Sequence, residues 1–222
     1  MVVALAAAVA LTASSCAKSE DDAADGKKSP AAATDAGQKV VTPKPGGKTC
    51  TVDAYGGEKL DLKGATVGFS QSEKEANPFR IAETQSIKDE AAKRGVKLLT
   101  ANAQSQFSKQ ISDVQTLLAK GVDLLVIAPL NSDGWDPVLQ AAAAKKVPIV
   151  TIDRKINATA CKDYVSFIAS DFVEQGRRAA DQMIEATGGK GEVAILLGSA
   201  GNNVTTERTK GFKERVAEKA PV

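Results

Sequence analysis

The stretch VPIVTIDRKI, residues 147–156, joins a short apolar run to two opposite charges that follow it directly. Residues 148–152 predict a buried strand, because the run is brief, apolar and rich in β-branched side chains. Asp153 and Arg154 come next, so an acid and a base lie at the carboxyl end of that strand. The position of this pair depends on how the strand fits into the rest of the chain.

The same alternation of apolar strands and helices runs from residue 65 to the C-terminus. Short, nearly continuous apolar strands that alternate with helices are typical of a parallel sheet covered on both faces. We therefore predict an α/β fold with a doubly wound parallel sheet and right-handed crossovers. The predicted strands are 65–70, 96–101, 122–129, 147–152, 163–170 and 191–198, and the predicted helices are 77–95, 105–121, 137–146, 172–187 and 204–220.

Doubly wound folds bind ligands in the crevice outside the carboxyl ends of the strands. Amides, a carboxylate, guanidinium groups and an aromatic ring are predicted at this edge. Together they suit a polyhydroxylated ligand, because each hydroxyl both donates and accepts hydrogen bonds and the ring covers apolar C–H groups. The side chains predicted at this edge are Gln71, Asn77, Phe79, Arg80, Asn102, Gln104, Asn131, Asp133, Asp153, Arg154, Asn202, Asn203 and Arg208.

A structural role stays open for several of these side chains. Loops that follow strands are polar in any α/β protein, so ordinary turn and capping roles also suit Asn102, Gln104, Asn131 and Asp133. Asp153 also fits a surface ion pair with Arg154 or Lys155. Residue type alone does not decide between these roles and ligand binding.

The composition argues against several classes of function. The chain of 222 residues carries 29 basic and 27 acidic side chains, whereas a nucleic-acid footprint needs a basic excess. The absence of histidine removes the commonest general base and metal ligand. The three cysteines show no CxxC spacing, so no metal site is expected. GSAGNN at 198–203 lacks the spacing of a phosphate-binding loop. We therefore expect no enzyme activity, no cofactor and no nucleic-acid partner.

The N-terminus predicts a targeting segment. Residues 1–15, MVVALAAAVALTASS, form an apolar run that turns small and polar before Cys16, as in a cleaved signal peptide. The run is shorter than the roughly 20 apolar residues that span a bilayer. Cys16 resembles the lipidated cysteine of a bacterial lipobox, and a soluble secreted protein and an uncleaved anchor are the alternatives. Residues 17–62 predict a flexible tether, because they contain few large apolar side chains.

Three segments resemble the type I periplasmic sugar-binding proteins, in particular the ribose- and galactofuranose-binding group. They are VGFSQSEKEANPFRIAETQSIKDEAAKRGVKLL at 67–99, GVDLLVIAPLNSDGWDPVLQAA at 121–142 and VPIVTIDR at 147–154. The resemblance implies two α/β lobes that clamp a sugar, with the first lobe at 63–170 and a partial second lobe at 171–222. Because members of this family are longer, it also implies a C-terminally truncated chain.

The resemblance assigns ligand contacts to particular side chains. It implies that Arg208 closes on the sugar from the second lobe, while the first lobe contributes Asn77, Phe79, Arg80, Asp153 and Arg154. Asp171 falls where the chain passes to the second lobe, and it is expected to serve the hinge. Trp135 is expected to pack in the core at a helix start, with sugar stacking as the alternative.

The implied function is an extracytoplasmic solute-binding protein that captures a monosaccharide. The ligand would be a pentose or a hexose, in the furanose form as one option, and it would pass to the permease of an ABC importer. Lipid on Cys16 would hold the protein at the bacterial cell membrane. The alternative is a protein that presents a sugar or an autoinducer to a chemoreceptor or sensor kinase. A repressor of the same fold is not favoured, because it would need a helix-turn-helix ahead of the domain.

Cys50 and Cys161 are candidates for a disulfide, because extracytoplasmic proteins keep disulfides oxidised. Cys50 precedes the first predicted strand and Cys161 follows the fourth. The predicted fold therefore permits this bond without requiring it.

Overall fold

Strands and helices alternate along the part of the chain that the computed structural model describes, which is residues 50–51, 53, 56–57 and 59–219. The predicted signal peptide, Cys16 and the predicted tether up to residue 49 lie outside the described residues. The strands are β1 (Thr66–Gln71), β2 (Lys97–Asn102), β3 (Leu124–Ile127), β4 (Ile149–Ile152) and β5 (Ser166–Ile168). The helices are α1 (Pro78–Arg94), α2 (Phe107–Ala119), α3 (Asp136–Ala144), α4 (Phe172–Thr187) and α5 (Asn203–Lys219). Among these helices, none has the length and apolar character to span a bilayer.

Within the described residues, the five strands form one parallel sheet in the order β2-β1-β3-β4-β5. Val67 of β1 pairs with Leu98 of β2 on one side and with Leu124 of β3 on the other. The strand order reverses at β1, and doubly wound folds open their ligand crevice at such a reversal. The prediction of a doubly wound α/β fold is confirmed.

The hydrophobic core lies between the sheet and the helices α2 and α3. Each fully buried aliphatic side chain in such a core contributes about 1.5–3 kcal/mol relative to an exposed one. Trp135 is also buried, and its ring meets the ring of Phe107 edge-on with centroids 5.5 Å apart. This confirms the expectation that Trp135 packs in the core. The central buried side chains are Val114, Leu117, Leu118, Leu125, Ile127, Val138, Leu139 and Ile149.

The ends of α1 are fixed by local side-chain and backbone chemistry. Asn77 has an extended backbone, and its Oδ1 accepts a hydrogen bond of 2.9 Å from the backbone N–H of Arg80. Pro78 follows at a position where its missing N–H has no cost. Gly95 ends the helix with φ at 68°, a left-handed conformation that glycine adopts readily. The cap at Asn77 fixes where α1 begins, and therefore where Arg80 lies.

The prediction of a strand at 191–198 is wrong for this structure. The segment has no strand pairing, and Leu196 within it is 96% exposed. A strand needs a neighbour that takes up its backbone hydrogen bonds, and within the described residues the sheet ends at β2 and β5. The apolar sequence predicts burial, but no described strand lies beside it.

A disulfide joins Cys50 to Cys161, whose Cα atoms are 5.0 Å apart. It connects the segment before β1 to the loop between β4 and β5, across a sequence separation of 111 residues. Disulfides that close long loops restrict the unfolded chain most strongly. The bond therefore ties the start of the described chain to the sheet.

Replacing both cysteines by serine is expected to lower the free energy of unfolding by about 2–4 kcal/mol, because the unfolded chain regains the freedom that the disulfide removes. Urea unfolding followed by circular dichroism measures this change. Wild-type protein treated with dithiothreitol is the matched comparison and should unfold like the double variant. Equal midpoints for the oxidised, reduced and substituted proteins would contradict a stabilising disulfide.

Candidate functional site

A cleft of about 340 Å³ opens at the carboxyl edge of the sheet. Its volume lies within the range of roughly 300–1,000 Å³ that is usual for ligand pockets. The six side chains to which the resemblance assigns ligand contacts line it, namely Asn77, Phe79, Arg80, Asp153, Arg154 and Arg208. The other seven predicted at this edge do not line it, namely Gln71, Asn102, Gln104, Asn131, Asp133, Asn202 and Asn203. The remaining lining residues are Glu73, Ser170, Phe172, Gln175 and Val204.

Arg80 is the centre of the ion-pair network beside the cleft. Its side chain is only 3% exposed, yet its guanidinium contacts three carboxylates. Its Nη1 lies 2.7 Å from Oε2 of Glu83, and its Nη2 lies 2.8 Å from Oδ2 of Asp153. Its Nε lies 3.4 Å from Oε2 of Glu73. A buried charge needs such partners, because desolvation without them is costly.

Arg154 extends the network into the cleft. Its Nη2 lies 2.5 Å from Oε1 of Glu73, and its Nη1 lies 3.5 Å from the carbonyl oxygen of Leu130. Its Nε is buried and makes no hydrogen bond within the described part of the chain, and it forms an ion pair with Oδ2 of Asp153 at 3.7 Å. A buried donor without a partner is uncommon in folded proteins and calls for an explanation.

Asp153 has an unusual backbone conformation at the end of β4. Its φ of 63° lies in the left-handed region, which costs a non-glycine residue about 1–3 kcal/mol. The backbone N–H of Asp153 donates to the carbonyl of Ile168, which fixes this turn against β5. The turn aims the carboxylate at Arg80, so the network and the strained backbone support the same geometry.

The network changes the acidity of its members. Burial opposes the charge of Glu73 and is the largest single influence on it. The hydrogen bond from Arg154 and the charges of Arg154 and Arg80 together outweigh burial, so the pKa of Glu73 falls below its ordinary value of 4.5. Burial likewise opposes the charge of Arg80, but the surrounding carboxylates raise its pKa. Both groups are therefore ionised at neutral pH.

Each side of the cleft carries an arginine beside an aromatic ring. The guanidinium carbon of Arg80 lies 5.1 Å from the ring centroid of Phe79, and that of Arg208 lies 5.1 Å from the ring of Phe172. Arg208 is also held by Gln175, whose Oε1 accepts from Nε at 2.8 Å. Phe79 is 57% exposed, which leaves much of its surface free for contact.

Helices α4 and α5 approach each other at two glycines, and this contact places Arg208. A Cβ on Gly176 of α4 would overlap the carbonyl oxygen of Arg208, and a Cβ on Gly211 of α5 would overlap that of Val173. Glycine is required at both positions because the backbones touch directly. The close packing of α4 against α5 and the hydrogen bond to Gln175 therefore both hold Arg208 at the cleft.

Several polar residues predicted at the strand ends have structural roles. Asn102 accepts from the backbone N–H of Gln104 at 2.9 Å and donates to the carbonyl of Glu73. Asp133 accepts from the side chain of Asn157 at 2.7 Å. The turn explanation therefore fits Asn102, whereas Asp133 contacts a side chain 24 residues away. Asp171, which is expected to serve the hinge, caps α4 by accepting from the backbone N–H of Glu174.

Sequence reasoning missed Glu73 as a member of the site. A signal was available, because a buried Arg80 next to a strand end requires carboxylates and Glu73 lies in the loop just before it. Phe172 and Gln175 were also missed, since the sequence pattern gives no indication that α4 faces the cleft. Their contribution depends on how α4 packs against α5.

A larger groove of about 660 Å³ adjoins the cleft. It lies between α4, α5 and the segment 193–199, and Arg154, Gln175 and Arg208 border both cavities. Most of its lining side chains are apolar, including Ile195 and Leu197. Because charged and amide groups converge in the smaller cleft, that cleft is the better candidate for a polar ligand.

Comparison with known proteins identifies relatives with known ligands. The sequence model of the periplasmic binding protein domain family matches residues 67–221. The galactofuranose-binding protein YtfQ of Escherichia coli (strain K12) is 37% identical over 152 residues, which are 68% of this chain and 48% of that protein. The ribose import binding protein RbsB of Bacillus subtilis (strain 168) is 38% identical over 157 residues, which are 71% of this chain and 50% of that protein. The chain spans about half the length of these curated relatives.

A solved structure gives a similar result for the fold. The periplasmic binding protein component of the arabinose ABC transporter from Shewanella sp. ANA-3, bound to α- and β-L-arabinofuranose, is 37% identical to this chain. The TM-score is 0.66, and the match covers 69% of this chain and 51% of that one.

Replacing Arg80 by alanine is expected to lower the free energy of unfolding by about 3–5 kcal/mol at pH 7, because three carboxylates lose their shared counter-charge. The loss should shrink as the pH falls. Glu73 has a lowered pKa in the wild type, so its contribution to stability is complete above 4.5 and is lost progressively as the pH falls from 4.5 through that lowered pKa. In the variant, protonation also relieves repulsion among the carboxylates. Chemical denaturation at pH 7 and near pH 4 measures both effects.

Arg94→Ala is the matched control, because Arg94 pairs with Glu90 at an exposed position on the same helix. Exposed pairs of this kind contribute little to stability, so this variant should be nearly neutral at both pH values. A loss of stability in Arg80→Ala no greater than in the control, or one that grows as the pH falls, would contradict the role of Arg80.

Replacing Gly176 by alanine is expected to push α5 away from α4 and to cost about 1–3 kcal/mol of stability, as overpacking does in other cores. The exposed α4 substitution Gln182→Ala is the control and should leave stability nearly unchanged. Thermal unfolding compares the two variants with the wild type. A stable Gly176→Ala protein would show that the two helices do not touch as described.

Proposed function

Because the chain belongs to the periplasmic binding protein domain family, we propose that it binds a monosaccharide in the cleft formed by Asp153, Arg154 and Arg80. The observation that supports this most directly is the Arg154 side chain at the edge of a ligand-sized cavity, because its Nε makes no hydrogen bond within the described residues and pairs with Oδ2 of Asp153 only at 3.7 Å. The relatives named above bind ribose, galactofuranose or arabinofuranose. They are binding proteins, which agrees with the expectation of a non-enzymatic role.

The chemistry of the cleft suits a neutral sugar with several hydroxyls. A carboxylate such as that of Asp153 accepts from two hydroxyls, and the guanidinium of Arg154 donates in a fixed fork. Phe79 presents an exposed ring that would cover the apolar C–H face of the sugar. Asn77 uses its Oδ1 as a helix cap, so its Nδ2 is the group that would donate to the ligand.

Binding would couple to closure of two lobes, residues 63–170 and 171–222. In this proposal Arg154 belongs to the first lobe and Arg208 to the second, and both line the cleft. A sugar that contacts both would favour the closed arrangement, because its contacts are stronger there. Asp171, as the cap of α4, lies next to the point where the chain would pass between lobes.

The closed form would act outside the cytoplasm, where it would deliver the sugar to the membrane permease of an ABC importer. The Cys50–Cys161 disulfide supports an oxidising location. The N-terminal sequence supports export by a signal peptide, with lipidation of Cys16 as the membrane anchor. Such an anchor would keep the protein close to its permease.

A thermal-shift screen of the non-lipidated protein against D-ribose, L-arabinose, D-galactose and D-fructose tests the proposal. At least one sugar should raise the melting temperature, because a ligand that binds only the folded state stabilises it. Arg154→Ala should weaken binding of that sugar at least about thirtyfold, since it removes a charged donor from the cleft. Isothermal titration calorimetry measures the affinity.

Lys155→Ala is the matched control, because Lys155 is the neighbouring cation but lies outside the cleft lining. Its sugar affinity should equal that of the wild type. A sugar affinity of Arg154→Ala equal to that of the wild type would contradict the proposed site. An equal loss of affinity in Arg154→Ala and Lys155→Ala would contradict it as well.

A further inference from the structure

Glu73 bridges the guanidinium groups of Arg80 and Arg154 at the cleft. Its Oε1 lies 2.5 Å from Nη2 of Arg154, and its Oε2 lies 3.4 Å from Nε of Arg80. Two guanidinium groups that face one point are a typical binding arrangement for a carboxylate or a phosphate. In this protein a side chain of the protein itself occupies that point.

The loop that carries Glu73 is fixed from the neighbouring strand end. The backbone carbonyl of Glu73 accepts a hydrogen bond of 2.9 Å from Nδ2 of Asn102. The side chain of Glu73 is 23% exposed and lines the cleft. Glu73 is therefore held in place, and its carboxylate also faces the space that a ligand would enter.

Glu73 supplies one of the three carboxylates that match the three guanidinium groups in and directly behind the cleft. The guanidinium groups of Arg80, Arg154 and Arg208 are matched by the carboxylates of Glu73, Glu83 and Asp153. Glu83 lies behind Arg80 and does not line the cleft, whereas Glu73 and Asp153 do. A ligand carboxylate or phosphate would face both of these acids, and like charges in contact oppose binding.

We propose that Glu73 is a specificity-determining residue that makes the cleft select neutral sugars and reject sugar acids and sugar phosphates. The inference rests on the proposed function, since it concerns the ligand of the same cleft. A hydroxyl donates to the carboxylate of Glu73 and leaves its pairing with Arg154 in place. An anionic group cannot donate in this way, and it competes with Glu73 for the guanidinium groups.

The substitution Glu73→Gln tests the inference, because glutamine keeps the shape of the side chain and removes its charge. Calorimetry measures the binding of two matched pairs, D-galactose with D-galacturonate and D-ribose with D-ribose 5-phosphate. The wild type should bind a neutral member and reject its anionic partner. In Glu73→Gln, the ratio of anionic to neutral affinity should rise about tenfold or more, as removal of a like charge predicts.

Glu75→Gln is the matched control. Glu75 lies in the same loop and accepts a 3.4 Å hydrogen bond from Asn102, but it does not line the cleft. Its ratio of anionic to neutral affinity should match that of the wild type. Circular dichroism of each variant confirms that the fold is retained.

The outcomes separate this inference from the proposed function. A wild type that binds a neutral sugar, together with a Glu73→Gln ratio that does not change, would overturn the role of Glu73 and leave the sugar site intact. Binding of the anionic member by the wild type as tightly as the neutral one would overturn it as well. A wild type that binds neither pair nor any sugar of the thermal-shift screen would overturn the proposed function and this inference with it.

Discussion

The site depends on the burial of one guanidinium, that of Arg80, among three carboxylates. A group that is 3% exposed and charged must be paired from several directions, and here the partners come from separate parts of the chain. Glu83 comes from the same helix, Glu73 from the loop before it and Asp153 from the end of β4. The ion pairs of Arg80 therefore connect the loop after β1 to the end of β4, at the edge of the sheet where the ligand crevice opens.

The pairing with Arg80 also accounts for the unusual backbone conformation of Asp153. Asp153 adopts a left-handed backbone, which orients its carboxylate toward Arg80. Arg154, the next residue, then lines the cleft, and its Nε makes no hydrogen bond to a described group and pairs with Asp153 only at 3.7 Å. Backbone strain and a buried donor without a hydrogen bond both cost stability, and residues that bind ligands often bear such costs. We expect a ligand hydroxyl to supply a hydrogen-bond acceptor for the Arg154 guanidinium.

Much of the fold and part of the site followed from local sequence patterns. The strand that precedes Asp153 and Arg154 and the limits of α4 depend on neighbours in the chain, so the sequence carries them. The segment 191–198 did not follow, because a strand depends on a partner and no described strand pairs with it. Glu73 was also missed, because its role appears only when Arg80 and Arg154 are brought to either side of it.

The most direct test is a crystal structure of the protein grown with the sugar that most raises its melting temperature. We expect one sugar in the cleft, with hydroxyls within hydrogen-bond distance of Asp153 and of the Arg154 guanidinium, and with its C–H face on Phe79. A sugar in the apolar groove beside residues 193–199, or in the cleft without contact to Asp153 and Arg154, would contradict it.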